Sequence, residues 1–192
     1  MISLRKHSPL AEYHQQSAVA QFINTGVQLD EMPFVQMVRL QGPGADESFC
    51  AQVAHVLMPL ANPRQVTSEG AWRCAWLTPN EWVFISTEGS ESQLIEALQP
   101  ALHGRLAMAT TITDSRVAIA VSGAAAVDLL AKACALDLHP SVFGVEQCAI
   151  TCFAKIAVLI VRTENYFEIV CERSQSRYLW EWLVDAAQEF GG

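Results

Sequence analysis

The chain has 192 residues and carries 20 Asp and Glu against 12 Lys and Arg, a formal net charge of −8. This acidic balance argues against a surface for nucleic acid or for an anionic membrane. The longest nearly apolar run, residues 148–161, has 14 residues and includes Lys155, so it is shorter than the roughly 20 residues that span a bilayer. Apolar residues make up 51% and charged residues 17%, below the roughly 25% charged share of soluble domains. The composition therefore predicts either a well-buried core or a surface covered by a partner.

Residues 1–30 are predicted to form an N-terminal segment. Its basic start, Met-Ile-Ser-Leu-Arg-Lys, is not followed by the apolar stretch of a secretory signal. We therefore expect a cytoplasmic protein.

The next predicted elements are a strand and a helix. Residues 34–40 are rich in β-formers and are followed by a glycine, which predicts a strand. Apolar residues then recur at helical spacing from Phe49 to Leu57, and Asp46 is suited to cap this helix. Pro59 should end the helix or the turn after it, because the residue before a proline disfavours the helical conformation.

A hairpin and a second helix complete the first half. The segments Trp72–Leu77 and Glu81–Ser86 flank the turn sequence Thr-Pro-Asn, which predicts two paired strands. The second helix should start near Ser90, where Ser-x-x-Gln resembles a capping box, and Pro100 should end or kink it.

The second half repeats the same order of elements. We predict a strand at Val117–Val121, a helix, a hairpin of the segments Ala149–Val161 and Tyr166–Cys171, and a last helix. Ser174 or Ser176 should cap this last helix. Its apolar stripe, at spacings of three and four, is expected to contain Leu179, Trp182, Leu183, Ala186 and Phe190, with Trp180 and Val184 on the neighbouring flank.

The two halves also match in amino-acid sequence. A shift of 81 residues places Val38–Gly42 on Ile119–Gly123. Further matches are Leu57–Pro59 on Leu138–Pro140 at the same shift, and Trp82 on Phe167 at a shift of 85. Two copies with this period are too few for a solenoid, so the pattern indicates a duplication. The order β-α-β-β-α, twice, predicts an α+β protein with helices on one face of mainly antiparallel sheets. We place the halves at residues 31–108 and 109–192 and expect them to pack as one compact unit.

The cysteines predict no metal site. They are Cys50, Cys74, Cys134, Cys148, Cys152 and Cys171, with no CxxC pair and all in apolar sequence. We expect them to be buried free thiols. Cys148 and Cys152 fall on a predicted strand, where residues four apart lie about 13 Å apart and cannot share one metal ion. The histidines are equally scattered.

No catalytic motif stands out. Neither GxGxxG nor G-x-S-x-G is present. Asp114 is the best acid/base candidate by position, although it can equally bond local backbone or pair with Arg116. Asp137 is interpreted as a turn residue. We therefore assign no catalytic, cofactor-binding or metal-binding residue. The candidate site is a subunit interface at the last helix, formed by Arg173, Arg177, Tyr178 and Trp180.

Several strings in the second half carry a family resemblance. They are Thr113-Asp114-Ser115-Arg116, Leu136-Asp137-Leu138-His139-Pro140, Arg173-Ser174 and Tyr178-Leu179-Trp180-Glu181-Trp182-Leu183. Over residues 110–190 the chain resembles the gamma subunit of heterotetrameric sarcosine oxidase, and residues 30–105 resemble it in order and length. That family is similar in fold to the folate-binding domains of the glycine-cleavage aminomethyltransferase.

The resemblance implies a non-catalytic subunit that assembles with alpha, beta and delta subunits. It implies a complex that oxidatively demethylates sarcosine to glycine, forms peroxide and transfers the one-carbon unit to tetrahydrofolate. FAD, FMN and NAD are implied for the larger subunits and zinc for delta, with no cofactor in this chain. Two other hypotheses stay open: a stand-alone folate-binding or aminomethyltransferase-like protein, and a metal or redox protein built on the cysteines.

Overall fold

The computed structural model describes residues 8–11 and 26–190, which form two β-sheets and their covering helices. The strands are β1 (Gln28–Met32), β2 (Gln36–Gln41), β3 (Val66–Glu69), β4 (Trp72–Thr78), β5 (Glu81–Ser86), β6 (Met108–Thr111), β7 (Arg116–Ser122), β8 (Cys148–Phe153), β9 (Ile156–Arg162) and β10 (Phe167–Glu172). The helices that lie within residues 26–190 are α1 (Glu47–Val56), α2 (Glu91–Leu102), α3 (Ala126–Ala131) and α4 (Ser176–Ala187).

The two sheets have the same strand order. Sheet 1 runs β1-β7-β10-β9-β8, and sheet 2 runs β6-β2-β5-β4-β3. Each of these neighbours pairs antiparallel. The fold is therefore a duplicated α+β unit with antiparallel sheets, as predicted.

The first strand of each unit is exchanged between the halves. β1 precedes the first unit in the chain but pairs with β7, with Gln28 opposite Ser122 and Met32 opposite Ala118. β6 precedes the second unit but pairs with β2 of the first. The unit is thus β-β-α-β-β-β-α rather than the predicted β-α-β-β-α. The division at residues 30 and 108 stays a prediction, and β1 and β6 lie at its two boundaries.

The predicted hairpin of the second half is wrong in one respect. The segment Ala149–Val161 is two strands, β8 and β9, which pair with Cys148 opposite Val161 and Phe153 opposite Ile156. Ala154 and Lys155 form the turn between them, with φ values of 46° and 71°. Two successive left-handed residues match the twist of a two-residue hairpin, so this apolar run reverses direction without a glycine.

Local sequence accounts for the start of α1, which is the one side-chain cap among the four described helices. The Asp46 carboxylate accepts hydrogen bonds from the amides of Ser48 and Phe49 at 2.9 and 3.3 Å, so it caps α1 as predicted. α2 begins at Glu91 and continues through Pro100 to Leu102, and Ser90 stands at its N-cap position without the predicted side-chain cap hydrogen bond. The Ser90 Oγ lies 3.0 Å from the Ser92 Oγ instead. The predicted serine caps are absent at α4, whose first residue, Ser176, donates its Oγ to the Arg173 carbonyl at 2.8 Å.

The molecule has four layers: helices, sheet 1, sheet 2, helices. One core packs α3 and α4 on sheet 1, and a second packs α1 and α2 on sheet 2. A third lies between the sheets and is formed by side chains such as Met37, Ala75, Val83, Leu159 and Val170. The helices therefore cover one face of each sheet, as predicted, and the other face of each sheet packs on its partner sheet.

Candidate functional site

Three of the four predicted interface residues lie on the surface where α4 begins. Arg173 is exposed in a 3-10 turn just before the helix. The Arg177 Nε donates to the Glu181 carboxylate at 2.9 Å along the exposed side of α4. Tyr178 is 45% exposed, and its hydroxyl donates to the Ala154 carbonyl at 2.8 Å. Their role in an interface remains a prediction.

The prediction that Trp180 lies in an interface is wrong, because its side chain is only 1% exposed. The buried positions of α4 are Ser176, Leu179, Trp180, Leu183, Ala186 and Ala187. Like the predicted stripe, the buried stripe has spacings of three and four residues. It lies further round the helix than predicted, so that it includes Trp180. Trp182 lies at its edge, partly buried, with its ring edge-to-face against Phe153 at 5.1 Å.

Asp114 lies exposed in a 3-10 turn before β7 and does not pair with Arg116. Arg116 instead binds Glu172 of the neighbouring strand at 2.6 Å. Asp114, Arg116 and Arg173 line a cavity of about 190 Å³ together with Phe34. Phe34, predicted as strand, is a turn residue with φ 61° and 47% of its surface exposed. Asp114 is therefore an exposed turn residue that lines this cavity.

Asp137 is a turn residue, as predicted. Its carboxylate accepts the amide of His139 at 2.9 Å. The His139 Nδ1 lies 2.8 Å from the Ser141 Oγ in the same exposed loop. These contacts shape the loop and leave no side chain in a cleft.

The cysteines divide into buried and accessible thiols. The buried ones are Cys74, Cys134, Cys148 and Cys171, whereas Cys50 is half-buried and Cys152 is exposed, contrary to prediction. Burial raises the pKa of Cys74 to about 12 and of Cys148 and Cys171 to about 11. Within residues 8–11 and 26–190, no three His, Cys, Asp or Glu side chains are grouped as metal ligands.

A buried ion pair, not predicted from the sequence, joins the two sheets. The Arg73 Nη2 of β4 lies 2.6 Å from the Glu168 Oε2 of β10. The Glu168 side chain is 0% exposed and the Arg73 side chain 25%. The second oxygen, Oε1, is buried without a hydrogen-bond partner among the described residues. Glu168 therefore depends on Arg73 to balance its charge.

A second cavity, of about 200 Å³, opens between the sheets. An ion pair from each sheet contributes to its lining: Arg39 with Glu81 at 3.5 Å, and Arg116 with Glu172. The remaining lining is mostly apolar and includes Leu159.

A larger opening lies beside α1 on the first unit, and we call it the α1 groove. It has a volume of about 580 Å³ and is lined by small or apolar residues that include Ala51, Ala54, Leu60, Ala61, Trp76 and Trp82. The Trp82 Nε1 donates to the Ala61 carbonyl at 3.0 Å, which ties the loop after α1 to the β4–β5 hairpin. The described lining residues include no Asp, Glu, Lys or Arg.

In the part of the chain that the structure describes, no helix has the length and apolarity to cross a membrane.

These layers and exchanged strands define a duplicated α+β domain of the type found in aminomethyltransferases. The structure is similar to the glycine cleavage system aminomethyltransferase T from Bartonella henselae, with a TM-score of 0.62 and 18% identity over 93% of this chain and 57% of that one. It is also similar to a chain of heterotetrameric sarcosine oxidase from Corynebacterium sp. U-96, with a TM-score of 0.87 and 28% identity over 97% of both chains.

Sequence comparison agrees. The model of the sarcosine oxidase gamma subunit family matches residues 41–189. The chain is 34% identical to the sarcosine oxidase subunit gamma of Corynebacterium sp. strain P-1, over 92% of this chain and 88% of the relative. The chain belongs to the sarcosine oxidase gamma subunit family, as its resemblance implied.

No described residue is assigned to folate, the ligand that the family resemblance raises. Residues 156–160 of β9 have no carboxylate. The two cavities at the sheets, at about 190 and 200 Å³, are smaller than the roughly 300–1,000 Å³ of ligand pockets. The α1 groove is large enough, but its described lining includes no cation. A further opening of about 410 Å³ is lined by Arg73 and Arg162 together with Glu146 and Glu164. Volume and charge do not assign a folate site among these openings, and we derive no folate chemistry for this chain.

Proposed function

We propose that this chain is the gamma subunit of a heterotetrameric sarcosine oxidase and has a structural, non-catalytic role. The match of the family over residues 41–189 carries the proposal. In the complex, alpha, beta and delta subunits are the partners. They hold FAD, FMN, NAD and zinc and carry out the oxidative demethylation of sarcosine in the cytoplasm.

The surface residues at the start of α4 support an interface there. Arg173, Arg177 and Tyr178 place cationic and aromatic side chains on one short stretch of chain, residue types that are enriched at interfaces. This stretch immediately follows β10, an interior strand of sheet 1, so its backbone is anchored to the core.

Co-expression with the other three subunits tests the proposal. The chain should purify with a flavin-containing complex that forms peroxide from sarcosine. Omitting this chain should lower the yield or stability of the complex while its flavin chemistry remains. A chain that elutes as a monomer with no flavoprotein attached would contradict the proposal.

A stand-alone folate-binding protein is the second candidate, favoured by the similarity in fold to aminomethyltransferase T. Calorimetric titration of the purified chain with tetrahydrofolate separates the two functions. Micromolar binding would favour the second candidate, and no heat of binding would leave the first.

A further inference from the structure

The cavity of about 190 Å³ is lined by both of the connections through which the chain exchanges strands between the sheets, and we call it the crossover cavity. The connection from β1 to β2 contributes residues 33–35. The connection from β6 to β7 contributes Thr113 and Asp114, and Arg116 follows at the start of β7. Arg173, in the turn after β10, also lines it.

The two connections are related by the duplication but differ in chemistry. The shift of 81 residues that relates β2 to β7 places Pro33 on Asp114. The same shift places Val35 on Arg116. The crossover cavity therefore has an apolar wall from the first connection and a charged wall from the second. A molecule with charged groups at one end and an apolar group at the other matches these two walls.

The charges of the lining balance, and two of them have no salt-bridge partner among the described residues. The charged lining residues are Glu31, Asp114, Arg116 and Arg173. Arg116 pairs with Glu172 at 2.6 Å, and Glu31 accepts a hydrogen bond from the Ser8 Oγ. Within residues 8–11 and 26–190, Asp114 and Arg173 form no salt bridge. One carboxylate and one guanidinium on a wall without net charge favour a ligand that carries both charges over a simple anion or cation.

Phe34 supports a binding role for the crossover cavity. Its φ of 61° is unusual for a bulky residue, and its side chain is 47% exposed, so burial of the ring within the chain does not compensate for this conformation. Backbone strain of this kind is found at ligand-binding positions, where the surrounding structure holds it in place. A ligand in the cavity would cover part of the ring.

The volume of the cavity suits a small molecule. An engineered apolar cavity of about 150 Å³ holds one benzene molecule, so about 190 Å³ has room for a ligand of similar size. We infer that the crossover cavity binds a small apolar amino acid as a zwitterion. The ligand carboxylate accepts hydrogen bonds from Arg173, its ammonium group donates to Asp114, and its side chain contacts Phe34.

This binding site goes beyond the proposed function, although Arg173 belongs to both because the crossover cavity adjoins the predicted interface. The two are therefore tested by separate measurements. A chain that binds the amino acid but does not assemble with the other subunits would contradict the proposed function alone. A chain that assembles but does not bind the amino acid would contradict the inference alone.

An NMR titration of the isotope-labelled full chain with valine tests the inference. Valine should shift the amide resonances of cavity residues such as Phe34, Asp114 and Arg173, with a Kd of about 1–10 mM, as expected for a ligand of about eight non-hydrogen atoms. Isobutylamine lacks the carboxylate of valine, and isovalerate lacks its ammonium group. Each should bind at least about threefold more weakly, since an exposed charge pair makes a modest contribution. Equal binding of either molecule, or shifts confined to residues outside the cavity, would overturn the inference.

Two variants remove the charges from the cavity wall. Asp114→Asn and Arg173→Gln should each weaken valine binding about threefold or more. The matched controls change exposed charges elsewhere, Asp185→Asn on α4 and Arg64→Gln before β3, and should leave the Kd unchanged. If the controls weaken binding as much as the cavity variants do, the attraction is unspecific and the inference is wrong.

Phe34→Asn tests the apolar wall. It removes the ring but keeps a residue type that tolerates positive φ, and thermal unfolding verifies that the variant is folded. The variant should weaken binding of valine more than binding of glycine, which has no side chain to contact the ring. Equal weakening for the two amino acids would overturn the orientation that the inference assigns to the ligand.

Discussion

Replacing Arg73 by leucine should destabilise the chain severely, because it leaves the Glu168 carboxylate buried without its cation. Glu168 is 0% exposed, and Arg73 is the residue within 8–11 and 26–190 that pairs with its carboxylate, at 2.6 Å. Breaking a buried pair from one side typically costs about 3–5 kcal/mol. Because the Arg73 side chain is 25% exposed, water weakens the pair, and we expect a loss of about 3 kcal/mol, at the lower end.

The duplication supplies the matched double variant. The offset of 85 places Val83 on Glu168 and Ile85 on Val170. Arg73 pairs with Ile85, and Leu159 pairs with Val170, so Leu159 is the counterpart of Arg73. Both Val83 and Leu159 are buried in the core between the sheets. The combination Arg73→Leu with Glu168→Val therefore copies an apolar arrangement that the fold already contains.

Urea unfolding of the two single variants and the double variant measures the effect. The double variant should lie within about 1.5 kcal/mol of the unaltered chain, since apolar pairs often replace buried ion pairs without loss. The coupling energy in the double-mutant cycle should then reach about 3 kcal/mol, near the upper end of the range for residues in contact. If Arg73→Leu costs less than about 1 kcal/mol, as for an exposed pair, or if the single losses simply add, the reasoning is refuted.

Three further predictions concern the thiols and a glycine. Burial raises the pKa values of Cys74, Cys148 and Cys171. Above about pH 9 the folded chain therefore keeps thiol protons that the unfolded chain releases, and the free energy of unfolding should fall as pH rises. The fall should be up to about 1.4 kcal/mol per pH unit for each buried thiol. Urea titrations at pH 8 and pH 10 check this fall, and equal midpoints would contradict it. At pH 8 a thiol reagent should modify Cys152 fastest, since it is the exposed cysteine among those described, and Cys152→Ser should remove that fast phase. Gly123→Ala should lower the free energy of unfolding by about 2 kcal/mol more than Gly70→Ala. Both glycines have positive φ, but a Cβ at Gly123 would lie 2.3 Å from the Gly26 carbonyl oxygen, whereas a Cβ at Gly70 would meet no atom within 4 Å. Thermal unfolding compares the two variants, and equal losses would show that the contact at Gly123 relaxes freely.

The duplicated α+β fold and the family could be predicted because their signals are periodicities within single segments and short sequence motifs. Asp46 stands directly before an apolar periodicity, and the strings that carry the resemblance fall within the residues that match the family. The short strands could not be predicted, because they lack such a local signal. β6, with the sequence Met-Ala-Thr-Thr, has no apolar alternation, and its pairing with β2 joins residues about 70 positions apart.

The turn at Ala154 and Lys155 and the ion pair could not be predicted either. Neither turn residue is a type that favours positive φ, so the run from Cys148 to Val161 resembles one long strand. Glu168 and Arg73 are separated by 95 positions, and each resembles an ordinary strand residue in its own segment. Trp180 and Trp182 are two residues apart on one helix, and the helix's rotation against sheet 1, a tertiary property, decides which ring is buried.

The exchange of β1 and β6 sets the order in which the chain can form its sheets during synthesis. All strands of sheet 2 have been synthesised once the chain reaches Thr111. β1 pairs with β7, and the last strand of sheet 1 to be synthesised, β10, ends at Glu172. At about 5–20 residues per second, that interval lasts roughly 3–12 s. During this time the inner face of sheet 2 has no sheet to pack on. The nascent chain thus presents the apolar residues on the inner face of sheet 2 before the strands that cover them have been made.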